Sequence, residues 1–157
     1  MTNESQKKET AYLISEFFYA AMTDKTNQLK NIFEIFSKDQ LDQYSVSVDV
    51  KDAFGAAPLH YAALIGNEKA AKLLIDNGAD VNIKDQLDMT PLHLAVQEDN
   101  KGIAKLLKNN GANVYAIDAN GKTPVAIAFA TANGDMAKIL TSGKMCNANK
   151  KINKPKI

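Results

Sequence analysis

The sequence predicts an all-α solenoid of stacked helix-turn-helix units joined by hairpin loops, and three observations predict it. A block opening on Asp52, Asp85 and Asp118 recurs at steps of 33 residues, with Pro58, Pro91 and Pro124 at its seventh position. Downstream of each proline the apolar columns also recur: Leu59, Leu92 and Val125; Ala62, Ala95 and Ala128; Leu73-Leu74, Leu106-Leu107 and Ile139-Leu140. Asn77-Gly78-Ala79 then closes the first block and Asn110-Gly111-Ala112 the second. A repeat of this length is a supersecondary unit that cannot bury its apolar face alone, so neighbours stack into one continuous core.

In chain order, residues 1–9 read as an N-terminal extension and residues 10–51 as a degenerate first unit that caps the stack. Leu13, Ile14, Phe17, Phe18 and Ala21 keep helical spacing, as do Leu29, Ile32, Phe33 and Phe36, on either side of the break Asp24-Lys25-Thr26-Asn27. Ala20-Ala21 can be laid on Ala62-Ala63 and Ile32-Phe33 on Leu73-Leu74, the latter pair at an offset of 41, which is eight more than 33. The surplus falls near 37–45, because Val48-Asp49-Val50-Lys51-Asp52 already reads like Val81-Asn82-Ile83-Lys84-Asp85. An unrelated helical hairpin packed on the end of the stack would bury the same stripe. A cleaved signal peptide is a third reading of Lys7-Lys8 and the apolar run behind it. Glu16 interrupts that run and the spacing is amphipathic, so the segment is expected to be kept.

Residues 52–84, 85–117 and 118–147 are the three clear repeats. Thr90 and Thr123 stand where a helix N-cap is wanted, and Pro91 and Pro124 follow at the first helical position, where the missing N–H costs nothing. Ala57 occupies the same column in the first repeat, a loss of about 1 kcal/mol by the usual cap penalty. Asp99-Asn100 breaks the first helix of the second repeat, and Ile103, Leu106 and Leu107 then mark one stripe of its second helix. Gly78 and Gly111 supply the left-handed residue that ends those second helices. Asp88 replaces the hairpin glycine seen at Gly55 and Gly121, and Ala126 stands in the column of His60 and His93. The last second helix, near Asp135 to Thr141, is one residue short. Gly143 then aligns with Gly111, which puts Cys146 in the column of Val81 and Val114 as a small core residue and leaves 148–157 as a basic tail.

Thr90-Pro91-Leu92-His93-Leu94-Ala95, together with Asn77-Gly78-Ala79-Asp80-Val81-Asn82, resembles the ankyrin repeat consensus, and the likeness runs from residue 52 to about 143. The resemblance implies an ankyrin repeat solenoid of about four repeats, including the degenerate N-terminal cap. It also implies that the histidine is structural, hydrogen-bonding the loop and the capping threonine, and that hairpin tips and the exposed side of each first helix form a concave binding surface.

Composition narrows the function classes. The chain has 157 residues, 45% of them apolar, with a formal net charge of +1 and one cysteine, so no internal disulfide is possible. No run reaches membrane-spanning length. A reducing compartment follows as the expectation, a cytoplasm or, for a delivered protein, a host cytosol. The segment 144–157 holds five lysines and no acid, leaving 14 lysines against 18 acids in residues 1–143. The basic tail could touch nucleic acid or anionic lipid, or be a solvated end. The chain contains no arginine, which removes bidentate guanine readout, and an acidic body repels a duplex, so sequence-specific nucleic-acid binding is not expected.

Catalytic candidates are two histidines, one cysteine and scattered carboxylates, and none stands at a catalytic spacing. His60 and His93 are one repeat apart, about 8–10 Å across stacked helices, too far to share a zinc whose ligands lie at about 2 Å. No cofactor or metal is expected, and no catalytic residue is assigned. What remains is binding of a protein or peptide, as an adaptor or an inhibitor. The variable columns nominate Phe54, Ala56, Leu64, Ile65, Gln86, Leu87, Met89, Gln97, Glu98, Asn120 and Lys122. Phe54, Leu64, Ile65, Leu87 and Met89 would form an exposed apolar cluster, which marks a partner site. Alternatively Leu64 and Ile65 lean on a neighbouring helix while Phe54 and Leu87 staple consecutive hairpins. Two other readings are a bacterial effector that binds a host protein and a fragment of an enzyme, and the edge after Gly143 offers a surface for self-association.

Overall fold

The computed structural model describes residues 4–23, 25–35 and 47–142. Among them the chain forms eight helices and no strand: α1 (Glu4–Met22), α2 (Thr26–Ile35), α3 (Pro58–Ile65), α4 (Glu68–Asp76), α5 (Pro91–Gln97), α6 (Lys101–Asn109), α7 (Pro124–Ala130) and α8 (Gly134–Thr141). They pair in sequence as four antiparallel units. The first helices stack α1 on α3 on α5 on α7, and the second helices stack α2 on α4 on α6 on α8. The proposed insertion at 37–45, Cys146 with the final hairpin, and the basic tail lie outside the described residues.

The core lies between these two layers and follows the repeating columns. Leu59 and Leu92, Ala62, Ala95 and Ala128, and Leu74, Leu107 and Leu140 are all buried. Alanine at the helix contacts lets backbones approach, while the leucines fill the space between layers at the density of a protein interior. Truncating one of them, as in Leu107→Ala, removes about 2–5 kcal/mol at a fully buried site.

The first unit stacks as a repeat does. Ala20 and Ala21 are fully buried, as are Ala62 and Ala63, and α2 buries Leu29 and Ile32 where α4 buries Ala71 and Leu74. Both helices therefore register at 42, the difference between 62 and 20 and between 74 and 32. The surplus over 33 is nine residues rather than eight, and Ile32 falls on Leu74, not on Leu73. Phe33 is displaced from that column because its ring packs on Phe17, with centroids 5.5 Å apart. α1 starts at Glu4, inside the stretch read as an extension.

Adjacent units are tied by one recurring asparagine. Asn67 Oδ1 accepts from the Ala70 amide at the start of α4 (3.1 Å), and its Nδ2 donates to the carbonyls of Ala20, Ala21 and Thr23 at the end of α1 (3.3, 3.4 and 2.6 Å). Asn100 Nδ2 likewise donates to Ala63 and Leu64 at the end of α3 (2.8 and 3.1 Å). The column that the sequence marks only as a helix break thus satisfies carbonyls that a helix end leaves without partners. At the other end of the stack, Lys108 Nζ from α6 donates to the carbonyls of Ile139 and Ser142, placing a cation at the C-terminus of α8.

Candidate partner-binding surface

The hairpin before each first helix is built around the aspartate that opens the block. Asp52 Oδ1 accepts from the amides of Phe54 and Ala56 (2.8 and 3.0 Å), Asp85 Oδ1 from Leu87 and Met89 (2.8 and 2.9 Å), and Asp118 Oδ1 from Asn120 and Lys122 (2.9 and 2.8 Å). Three repeats of this geometry explain why the aspartate recurs. Burial alone would push the Asp52 carboxyl up, but the bonds from the Tyr61 hydroxyl (2.5 Å) and the two amides outweigh it and hold the group below its ordinary value. The same contact pushes Tyr61 up to about 12. Asp118 is held down against burial by the Lys122 and Asn120 amides.

The tips are tied to one another through the main chain. The Gln86 amide donates to the Phe54 carbonyl (3.1 Å) and the Ala119 amide to the Leu87 carbonyl (2.9 Å). A side chain at Gly55, which holds φ +71°, would place its Cβ 3.0 Å from the Gln86 nitrogen, so glycine permits this approach. Lysines run along the same edge: Lys51 Nζ donates to the Lys84 carbonyl (2.8 Å) and Lys84 Nζ to the Ile117 carbonyl (3.2 Å).

Behind the tips the histidines join each first helix to the next hairpin. His60 Nδ1 accepts from the Ala57 amide (3.0 Å) and Nε2 donates to the Met89 carbonyl (3.0 Å). His93 Nδ1 accepts from the Thr90 amide and sits 2.9 Å from the Thr90 hydroxyl, while Nε2 donates to the Lys122 carbonyl (3.2 Å). These partners fix the proton on Nε2 and occupy the one lone pair of each ring, on Nδ1. Burial pushes both imidazoles below their ordinary value and keeps them neutral. The histidines therefore have the structural role the resemblance implied. Thr90 stands at the N-cap of α5 as expected and is bonded by His93, its hydroxyl facing the ring and not an amide of the helix. Where Ala126 replaces the histidine, the Thr123 hydroxyl accepts from the Ala126 amide (3.1 Å) and caps α7.

Of the residues nominated for binding, Phe54, Ile65, Gln86, Leu87, Gln97, Glu98, Asn120 and Lys122 are exposed. Leu64, Met89 and Ala56 are half-buried, contrary to expectation for the first two. The carbonyl of each is engaged: Leu64 accepts from Asn100, Met89 from His60, and Ala56 from the Asp52 amide. Phe54 and Leu87 retain 71% and 57% of their accessible surface. Main-chain bonds and the Gln86 side chain, whose Nε2 donates to the Ala53 carbonyl (2.8 Å), link consecutive hairpins. The nominated set divides into two rows. Phe54, Gln86, Leu87, Asn120 and Lys122 lie at the hairpins, whereas Ile65, Gln97 and Glu98 lie at the far ends of α3 and α5, roughly 12 Å along an eight-residue helix.

Tyr115 and Phe129 are exposed aromatics that sequence reasoning passed over. Tyr115 stands in the column of Asn82, and the switch from amide to ring was the available signal. Among the described residues no cluster of three His, Cys, Asp or Glu side chains is placed to hold a metal ion, and no helix is long and apolar enough to cross a membrane. The profile described as Ankyrin repeats (3 copies) matches residues 17–118 and, overlapping them, 59–154. No curated protein matches the chain.

Proposed function

The chain belongs to the ankyrin repeat family, whose repeats are generally protein–protein interaction modules and typically non-catalytic, and from that premise we propose that it captures a protein or peptide segment at the hairpin row. The observation that carries the reading is the contrast between backbone and side chain at Phe54 and Leu87. Their carbonyls are fixed in a bonded ladder, yet their side chains project largely uncovered from adjacent tips. Apolar groups held in place before binding lose little entropy on contact, which favours association. Gln86, Asn120 and Lys122 supply a polar margin. Lacking both Trp and Arg, the chain is without two side chains common at binding hot spots, which points to moderate affinity.

The test is affinity purification from the native cell with the parent and with a Phe54→Glu, Leu87→Glu double variant, followed by mass spectrometry. Both positions are exposed, so the thermal transition of the double variant should match the parent. Proteins retained by the parent and lost from the variant are the expected result. An identical set of retained proteins would remove the hairpin row as the site.

A further inference from the structure

We propose that Asn120-Gly121 is a self-modifying site, where the folded protein converts its own asparagine to aspartate and isoaspartate at the tip of the third hairpin. The chain contains four Asn-Gly pairs, Asn77-Gly78, Asn110-Gly111, Asn120-Gly121 and Asn133-Gly134. In such a pair the glycine carries no Cβ, so its nitrogen can approach the asparagine carboxamide closely. That nitrogen gives its proton to solvent base and bonds to Cγ, the Cγ–Nδ2 bond breaks, and Nδ2 leaves as ammonia. Water then opens the cyclic imide at either carbonyl. Attack at Cγ yields aspartate, and attack at the main-chain carbonyl yields isoaspartate, with the chain routed through Cγ. Water is consumed, ammonia is released, and nothing is oxidised or reduced.

The fold restrains three of the four carboxamides. Asn77 Nδ2 donates to the Leu73 carbonyl and Asn110 Nδ2 to that of Leu106 (both 2.8 Å). Just beyond them the amides of the buried Ala79 and Ala112 bond the Leu74 and Leu107 carbonyls (both 3.0 Å), so turning the glycine nitrogen onto Cγ also disturbs the core. Asn133 is held at both carboxamide atoms: Oδ1 accepts from the Met136 amide (3.1 Å) and Nδ2 donates to the Asp99 carboxylate (2.6 Å). Asn120 differs. Its main-chain amide donates to Asp118 Oδ1 (2.9 Å), but its carboxamide has no partner among the described residues, and Ala119 and Gly121 beside it are exposed. All four glycine amides donate to a nearby carbonyl, so that bond does not distinguish the pairs. Nor does the exposure of Asn120 come from its place in the stack. Phe54 and Leu87, in the same column, keep 71% and 57% of their surface although a further hairpin follows each.

The reaction puts a negative charge in the hairpin row, close in sequence to Lys122. The isoaspartate form also lengthens the main chain between the Ala119 amide, which is bonded to Leu87, and the Lys122 carbonyl, which is bonded to His93. The chemistry holds whether or not that row captures a partner.

Parallel incubation of the full chain, folded and in urea, in mildly alkaline buffer tests this. Each Asn-Gly peptide is quantified by mass spectrometry, and isoaspartate by enzymatic methyl transfer. In urea the four pairs should react at similar rates. In the folded chain Asn120 should stay within about threefold of its urea rate while the other three slow by about tenfold or more, because each must first open its bonded turn. The comparison is made within one unaltered sequence, so it does not depend on a variant folding. Asn120→Gln, whose longer side chain disfavours ring closure, should abolish the early ammonia release of the folded chain. Protection of Asn120 equal to that of the other three overturns the proposal, and so does a folded chain that reacts first at Asn77, Asn110 or Asn133.

Discussion

His60 and His93 each bridge an amide at the start of their own helix and a carbonyl in the next hairpin, and both bridges require a neutral ring. Burial is the main cause of their lowered pKa values. In the unfolded chain the imidazoles titrate near the ordinary value of about 6.5. Between that value and the lower folded one, the unfolded state binds more protons, so the stability present above about pH 6.5 falls as the solution is acidified through this window. The carboxylates titrate lower: Asp52 and Asp118 are held down and contribute stability that is lost in stronger acid, and Asp49, raised mainly by burial, acts in the opposite sense there. Urea unfolding at pH 7.5, 6.0 and 5.0 should show a decline of up to about 1.4 kcal/mol per pH unit for each histidine. A His60→Gln, His93→Gln variant should be less stable at pH 7.5 yet lose less between pH 6.0 and 5.0. Equal slopes would show that other groups carry the dependence. The histidine positions are legible in the sequence because they recur. The aspartate's role as a clamp is not, since the same recurring letter could equally denote a solvated hairpin acid.

The turn between the two helices of each clear repeat needs one residue in the left-handed region, and the three repeats fill it differently. Gly66 holds φ +86°, Asp99 holds +54° and Ala132 holds +52°. Glycine enters this region freely, and aspartate is among the residues that visit it, whereas for alanine the Cβ crowds the following carbonyl at a cost of roughly 1–2 kcal/mol. Asp99 is further supported by Asn133, whose Nδ2 donates to its carboxylate (2.6 Å). The α7–α8 turn is therefore the strained one. Ala132→Gly should stabilise the protein by about 1 kcal/mol once glycine's extra freedom in the unfolded chain is deducted, seen as a higher urea midpoint at unchanged slope. A lower midpoint would mean that the alanine methyl packs usefully. Helix positions and core columns are readable from sequence because burial in a stack is periodic. The offset of the first unit differs in α2 by one residue from the sequence reading, because an Ile-Phe pair fits a Leu-Leu pair in either register, and burial of Leu29 and Ile32, with Phe33 packed on Phe17, selects one. The exposure of Phe129 depends on what packs over α7, a fact about neighbours that its own column does not contain.

Stability in such an array is approximately a sum of unit terms and nearest-neighbour junction terms, so a change at one junction should act locally. The junction between the degenerate unit and the first clear repeat is the natural place to test this, because α1 and α2 share with the rest no hairpin ladder of the kind linking Phe54 to Gln86 and Leu87 to Ala119 among the described residues. Much of its polar connection runs through Asn67, whose amide reaches three carbonyls at the end of α1. Asn67→Asp keeps the oxygen that caps α4 but replaces the donor with an acceptor facing those carbonyls. The penalty, about 1–3 kcal/mol for a buried group left without its partner, should fall on the junction and not on the units. Native-state hydrogen exchange should then show amides in residues 10–35 opening at lower free energy than those of 91–130, which keep their parent values. Uniform acceleration across all units would instead mean that the array unfolds as one block. Equal protection everywhere would mean that apolar contacts of Phe17 and Ala20 hold the cap without the asparagine.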